Sequence, residues 1–213
     1  YFLSAKMKLV EVLKEKITQT DFKSEDLKRL EEAYAKNISE LGKSAFTLSL
    51  IRGQANLYAY YLDRLDTAIS ILNQALNLGG ISQEEIAETK IELADLYLLD
   101  DNIWEASLLY SQVEKAFKYD ELGERAKFKN ARVAYFTGDF FWAQAQLDVL
   151  KGSTSKLIAN DALDLSLLIT DNVGRDSVIE PLQIYARAQL LIFKQDYEEA
   201  LKALDSIPKF FPE

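Results

Sequence analysis

Few side chains in this sequence could carry out covalent chemistry. The 213 residues include neither cysteine nor histidine, so the chain has no thiolate nucleophile and lacks the commonest general base and metal ligand. The serines therefore have no histidine to activate them. Asp161 and Asp164, like Glu84 and Glu85, are close enough in sequence for acid–base work, but the chain has 34 acidic residues. Such pairs are usually a solvated helix face, and they do not indicate an active site.

Metal and phosphate motifs are equally weak. Asp171-Asn172-Val173-Gly174 partly resembles a calcium-binding loop, but its glycine comes at the fourth position rather than the sixth. Acidic residues are also missing at the third and fifth positions, and the sequence has no glycine-rich phosphate loop. The sequence therefore predicts no metal, no cofactor and no enzymatic activity.

The charged residues form a repeating pattern. A basic stripe has spacings of four and three, which place its members on one helix face: Arg125, Lys129 and Arg132. An acidic set has the same spacing 37 residues earlier: Glu88, Glu92 and Asp95. One hypothesis is a charge ladder between neighbouring helices, worth about 0–1 kcal/mol for each exposed pair. The other is that the stripe lies in a groove and binds an acidic peptide or a carboxylate terminus.

The overall composition narrows the classes of partner. The net charge is −9 and the pI is near 4.8, which argues against nucleic acid or an anionic membrane as the main partner. No apolar run approaches the roughly 18 residues of a membrane span. The chain begins at Tyr1 with an amphipathic, lysine-containing segment that does not resemble a signal peptide. We expect the sequence to be a piece of a longer protein.

Hydrophobic spacing predicts helices throughout. Leu27, Leu30, Tyr34, Ile38 and Leu41, for example, recur at intervals of three and four. No segment alternates with a period of two, so no sheet is expected. Short turns between the helices favour antiparallel hairpins. The predicted helices span residues 2–18, 24–41, 44–62, 66–78, 83–99, 103–118, 122–136, 140–151, 155–170, 177–194 and 197–207.

Pairs of alanines mark a repeat. Small side chains let two helix backbones approach closely, and three similar segments each carry two alanines twelve residues apart: Ala94 with Ala106, Ala131 with Ala143, and Ala188 with Ala200. Ala68 carries the second-helix part of the same signature. The spacings between the second alanines are 38, 37 and 57 residues, and the longest one accommodates an extra helix. Hairpins that repeat in this way bury their apolar faces by stacking.

These residues resemble the tetratricopeptide repeat (TPR). Five match its small and large apolar positions: Leu93, Ala94, Tyr97, Ala106 and Tyr110. The turn of the repeat is matched by Gly138-Asp139 and Gln195-Asp196, and its usual proline is matched by Pro212. The sequence departs from the pattern at Asn130 and Ala134, which stand where the family has large apolar residues. The resemblance implies an all-α chain, a single α-solenoid of TPR-like antiparallel helix pairs forming a right-handed superhelix over residues 1–213. Its expected units are about 1–43, 44–82, 83–121, 122–153, an extra helix at 154–172, and 177–213.

Part of the chain also resembles larger, mostly uncharacterised bacterial TPR proteins. The stretch from Trp104 to Asn172 is the similar part. Those proteins often begin with an export signal, so the resemblance implies a periplasmic or cell-envelope location. A cytoplasmic location is the alternative.

The TPR resemblance also implies a function. First helices line a concave groove in this family, so we expect a non-catalytic scaffold that binds a protein or peptide there. The predicted partner-binding residues are Arg125, Phe128, Lys129, Arg132, Tyr135, Tyr60, Tyr61 and Tyr185. Trp104 and Trp142 are expected to be packing residues. Two alternatives remain: a self-associating assembly module that forms homo-oligomers, and the non-catalytic arm of a larger enzyme or envelope complex.

Overall fold

Every helix expected from the hydrophobic spacing forms in the computed structural model, which describes residues 2–18, 22–173 and 178–211. No strand occurs in those ranges. Most helix ends lie within three residues of the predicted ones. The helices are α1 Phe2–Thr18, α2 Ser24–Leu41, α3 Leu48–Tyr61, α4 Leu65–Ala75, α5 Gln83–Leu99, α6 Ile103–Ala116, α7 Glu121–Phe136, α8 Phe140–Leu150, α9 Lys156–Asn172, α10 Glu180–Phe193 and α11 Tyr197–Phe210.

One predicted helix starts differently. The segment expected at 44–62 begins with a 3₁₀ turn, Ala45–Thr47, before α3. The Thr47 hydroxyl donates to the Gly42 carbonyl at 2.7 Å and accepts from the Ser44 amide at 3.0 Å. These bonds hold the chain in a tight turn, because a threonine side chain competes with the helix for backbone groups. Two other predicted features, Gly174 of the calcium-like loop and Pro212, lie outside the described residues.

The chain forms two compact units, residues 1–100 and 101–213. In the first, α1 to α5 pack in chain order, each against the next. Its core is built from the predicted α2 and α3 faces and includes Leu30, Tyr34, Leu48, Ile51 and Leu57. The predicted repeat at 83–121 is divided, since α5 belongs to the first unit and α6 to the second. The single continuous solenoid stays a prediction.

In the second unit, the helices also pack mainly in chain order. α7 lies at its centre, because it packs against α6 and α8 and also contacts α9 and α10. α11 packs on α10. α9 and α10 are therefore both anchored on α7.

The turns between paired helices share one backbone conformation. A residue with positive φ occurs in the turns that precede α4, α6, α8 and α11: Asp63 at 52°, Asp101 at 60°, Gly138 at 82° and Gln195 at 63°. Each precedes by five residues the alanine of its second helix. Only one of the four is glycine, although other residues rarely adopt this conformation. The next residue has a ψ near 65–70° in three of these turns: Asn102, Asp139 and Asp196. The repeat thus preserves turn geometry more closely than turn sequence.

The alanines of the predicted pairs are buried. Ala94, Ala106, Ala131, Ala143 and Ala188 are fully buried. The second-helix alanines Ala68 and Ala200 are also buried. The predicted close approach is confirmed in the second unit, where α7 packs on α8 and α10 on α11, the helices that carry Ala131 with Ala143 and Ala188 with Ala200.

Asn130, which departs from the family pattern, has a structural explanation. Its side chain is buried, and its Oδ1 accepts a hydrogen bond of 2.7 Å from the Ser107 hydroxyl of α6. Its Nδ2 donates to the Ser111 hydroxyl at 3.1 Å. A buried polar group costs little when it is hydrogen-bonded. A polar contact between α6 and α7 therefore replaces the apolar one expected here.

Candidate partner-binding cleft

The extra helix α9 creates a cleft in the second unit. α9 packs on α8 and also contacts α7, and α10 contacts α7 as well. A cleft of about 570 Å³ is lined by all three helices α7, α9 and α10. The lining residues are Phe128, Arg132, Asp161, Asp164, Leu165, Leu168, Gln189, Ile192 and Phe193.

Helical periodicity explains how α9 contributes to this cleft. Ile158, Ala162, Ser166 and Ile169 form its buried face. Residues 161, 164, 165 and 168 lie on another face at spacings of three and four, and they line the cleft. The sequence alone did not place this helix in the stack. Its amphipathic pattern could only show that two of its faces differ.

The cleft combines apolar surface with charges of both signs. Phe128 of α7, Leu165 and Leu168 of α9, and Ile192 and Phe193 of α10 supply the apolar part. Arg132 is the cation, and the exposed Asp161 and Asp164 are the anions. Recognition sites commonly combine apolar side chains with a few polar groups that fix the orientation of the ligand.

Arg132 has no carboxylate partner within the described part of the chain. Its guanidinium carbon lies 5.1 Å from the centre of the buried Phe136 ring. This cation–π contact orients the side chain without neutralising its charge. A carboxylate brought by a ligand would therefore find the guanidinium donors available, because stacking uses the face of the group and leaves its edges.

The other predicted residues of α7 lie elsewhere. Arg125 is exposed and Lys129 half-buried, and neither lines the cleft. Tyr135 is fully buried, with its ring 5.8 Å from the rings of Phe136 and Phe140. Burial, with a smaller contribution from the neighbouring Tyr185, raises the pKa of Tyr135. Tyr135 is thus a core residue in this structure.

Three predicted tyrosines remain. Tyr185 is partly exposed on α10 but does not line the cleft. Tyr61 of α3 packs edge-on against Phe22 at 5.6 Å between ring centres. Tyr60 is half-buried, and burial, followed by the charges of Asp95 and Glu92, raises its pKa. Tyr60 and Tyr61 therefore take part in the packing of the first unit.

The sequence interpretation missed one structural arginine. Arg52 of α3 binds Glu92 through two hydrogen bonds, Nε to Oε2 at 2.9 Å and Nη2 to Oε1 at 2.8 Å. Its Nη1 binds Glu88 at 2.8 Å. The available signal was the 36-residue spacing between Arg52 and Glu88, close to one repeat. Glu88 and Glu92 thus form a charge contact inside the first unit, whereas their pairing with the basic stripe stays a prediction.

Arg52 is held firmly by these contacts. Only 18% of its side chain is exposed. Burial alone would lower its pKa, but the hydrogen bonds and charges of Glu92 and Glu88 outweigh that effect and raise it. Arg52 borders a second cleft of about 370 Å³, together with Tyr34 and Gly53.

The two tryptophans contradict the expectation that they pack. Trp104 is 84% exposed and Trp142 is 54% exposed. The inward-facing positions of their helices belong instead to Ala106 and Tyr110 in α6, and to Phe140 and Ala143 in α8. Helical periodicity then turns both indole rings toward solvent.

The described residues also bear on metal binding and on membrane spanning. No group of three or more acidic, histidine or cysteine side chains is close enough to hold a metal ion within residues 2–18, 22–173 and 178–211. None of the helices in those ranges is both long and apolar enough to cross a bilayer.

Comparison with solved structures identifies the type of fold. The chain is similar to the TPR-like repeats of a Podosopora anserina protein described as a kinesin light chain, with a TM-score of 0.57 and 14% identity. The match covers 99% of each chain. No protein-family model and no curated protein matches the sequence. The predicted all-α, TPR-like repeat fold is therefore confirmed.

Proposed function

We propose that this protein is a non-catalytic scaffold that binds a segment of a partner protein in the cleft between α7, α9 and α10. The observation that carries the proposal is Arg132, which lines this cleft beside apolar side chains and has no carboxylate partner among the described residues. The TPR-like fold supports it, because stacked helix pairs provide surfaces for protein partners.

The cleft also suggests the chemistry of the bound segment. Apolar side chains would contact Leu165, Leu168 and Ile192, and a carboxylate would bind Arg132. Asp161 and Asp164 would favour a basic residue at the opposite rim. A partner segment with an acidic and a basic residue on either side of apolar anchors fits this arrangement.

The proposal is tested by capturing proteins from native extract with wild-type protein and with Arg132→Glu, and identifying them by mass spectrometry. Arg125→Glu is the matched control, because it makes the same charge change on α7 outside the cleft. We expect Arg132→Glu to lose at least one protein that Arg125→Glu retains. Circular dichroism melts check that both variants fold.

Adding Asp161→Lys and Asp164→Lys extends the test to the other rim. If all variants capture the same proteins as wild type, the cleft is not the binding site. If Arg132→Glu instead changes the sedimentation coefficient of the isolated protein, the cleft joins copies of this chain, and the self-associating module is the better description.

A further inference from the structure

A second exposed surface lies on the second helices of the second unit. It consists of apolar side chains one helical turn apart: Trp104 and Leu108 on α6, and Phe141, Ala145 and Val149 on α8. Trp104 and Phe141 are 84% and 88% exposed, and Leu108 and Val149 are 59% and 63% exposed. We call these five residues the outer strip. Single exposed apolar residues are ordinary, but aligned large ones mark interaction sites.

The repeats themselves provide an internal comparison. Trp104 and Phe141 each stand two residues before the buried alanine of their helix, as do Asp66 in α4 and Glu198 in α11. The next positions along the same face are polar in those helices as well: Ser70 and Gln74 in α4, and Lys202 and Ser206 in α11. This helix face is therefore polar in α4 and α11, whereas α8 is apolar at all three positions and α6 is apolar at the first two, before Gln112.

The outer strip continues into a cleft. Val149 also lines a cavity of about 580 Å³, which is bordered by the end of α6, the start of α7 and the end of α8. Lys115, Lys118 and Lys127 contribute cations to it, and Tyr119, 90% exposed, contributes an aromatic ring.

The acidic residues of this cleft are already satisfied by the protein. Glu114 pairs with Lys127 at 3.0 Å. Glu124 accepts hydrogen bonds from the Ser153 hydroxyl at 2.6 Å and from the Thr154 amide at 3.3 Å.

Two lysines of the cleft are left without a carboxylate. Lys118 contacts the Tyr119 ring at 5.2 Å, and no carboxylate pairs with Lys115 or Lys118 among residues 22–173 and 178–211. In a chain of net charge −9, this is a local positive site at the end of an apolar strip.

We infer that the outer strip and its lysine cleft bind an acidic amphipathic helix of a partner protein. Apolar side chains of that helix would pack against Trp104, Leu108 and Phe141, as in other helix-in-groove complexes. Its carboxylates would meet Lys115 and Lys118 at the cleft. This surface lies on second helices and is independent of the cleft between α7, α9 and α10.

The charges favour this occupant over two others. A second copy docked through the same surface in a symmetric dimer would set the two apolar strips against each other, and the five strip residues offer no carboxylate to Lys115 and Lys118. An anionic membrane would be repelled by the negative charge of the rest of the chain. An acidic partner helix has neither disadvantage.

Tryptophan fluorescence provides a direct test, because the chain has two tryptophans, Trp104 and Trp142, and both are exposed. The probe is a synthetic helical peptide of roughly 18 residues, with leucine and phenylalanine on one face and glutamate on the other. We expect a saturable blue shift with this peptide and a much weaker one with a matched lysine peptide. No shift, or equal shifts with both peptides, would overturn the proposal.

Variants assign the binding to this surface. Phe141→Asp with Val149→Gln introduces residue types that α4 carries at these positions, and should weaken binding of the labelled glutamate peptide at least tenfold in fluorescence anisotropy. Lys115→Glu with Lys118→Glu should reverse the preference between the two peptides.

Leu157→Ser, at an exposed residue of α9 outside the strip, is the control. If Leu157→Ser weakens peptide binding as much as the strip variants do, the proposal is wrong. It is also wrong if the wild-type protein is a dimer that Phe141→Asp dissociates, because the strip would then join two copies of the chain. Binding of the wild-type protein to phosphatidylserine vesicles would contradict it as well.

Discussion

Two arginines on first helices have opposite surroundings. Arg52 of α3 makes three hydrogen bonds to Glu88 and Glu92. Arg132 of α7 lies over the Phe136 ring and lines a cleft of mixed apolar and charged side chains. The same side chain therefore joins helices in the first unit and presents an unneutralised charge in the second. The presence of a cation on a first helix does not identify a binding site, because its local partners decide its role.

The largest expected difference is in stability. Arg52→Ala removes the cation from two carboxylates, and we expect the free energy of unfolding to fall by about 1–3 kcal/mol. This is below the cost of breaking a fully buried pair because the side chains of Glu88 and Glu92 are 42% and 26% exposed. Arg132→Ala should cost about 1 kcal/mol or less, the value of a cation–π contact. Urea unfolding of both variants measures the loss of unfolding free energy in each. Equal losses would contradict the different roles assigned to Arg52 and Arg132.

Alkaline pH gives the next effect, through Tyr34 beside Arg52 in the same cleft. Burial, with a smaller contribution from Glu11, raises the pKa of Tyr34 to about 12. Because the pKa is higher in the folded state, burying the neutral Tyr34 side chain contributes fully to stability below pH ~10, where the tyrosine of the unfolded chain is also neutral. That contribution is lost as the pH rises toward 12, because the unfolded chain then loses its proton more readily. The unfolding free energy should fall there by up to about 1.4 kcal/mol per pH unit for this residue.

Tyr34→Phe should make that decline less steep in denaturant unfolding between pH 9 and 12. The control is Tyr119→Phe, because Tyr119 is 90% exposed and its removal should leave the slope unchanged. Identical slopes in all three proteins would mean that Tyr34 ionises as easily in the folded chain as in the unfolded one.

Lysine substitutions give the smallest effect and separate geometry from charge. Arg52→Lys keeps the charge but loses the paired hydrogen bonds to Glu92, so we expect a loss of about 1 kcal/mol. Arg132→Lys should change stability by less than about 0.5 kcal/mol. The measurement is again urea unfolding. A larger effect at Arg132 than at Arg52 would reverse the roles assigned to them.

Much of the fold follows from local patterns. The spacing of Leu27, Leu30 and Tyr34 places one helix face in the core. The alanine pairs mark the places where helices meet because only a small side chain allows that approach. The turns at Gly138-Asp139 and Gln195-Asp196 were both recognised, but only Gly138 is the residue type that indicates a positive φ, which Asp101 and Gln195 share. Residue type alone therefore does not reveal this turn geometry at Gln195.

The site was less predictable. Phe128 and Arg132 were identified as candidates, and they line the cleft between α7, α9 and α10. Tyr135 stands on the same helix and is fully buried. Aromatic residues at helical spacing suit a core and an interface equally, so sequence could not distinguish them. The exposure of Trp104 was missed for the same reason.

The sequence by itself determined the helices, the repeat and its small contact residues, because these depend on periodicity and side-chain size along the chain. Only the tertiary structure decided which charges are paired, where α9 packs, and which aromatic rings meet solvent. Those properties depend on contacts between residues tens of positions apart, such as Arg52 with Glu92, and no local pattern specifies them.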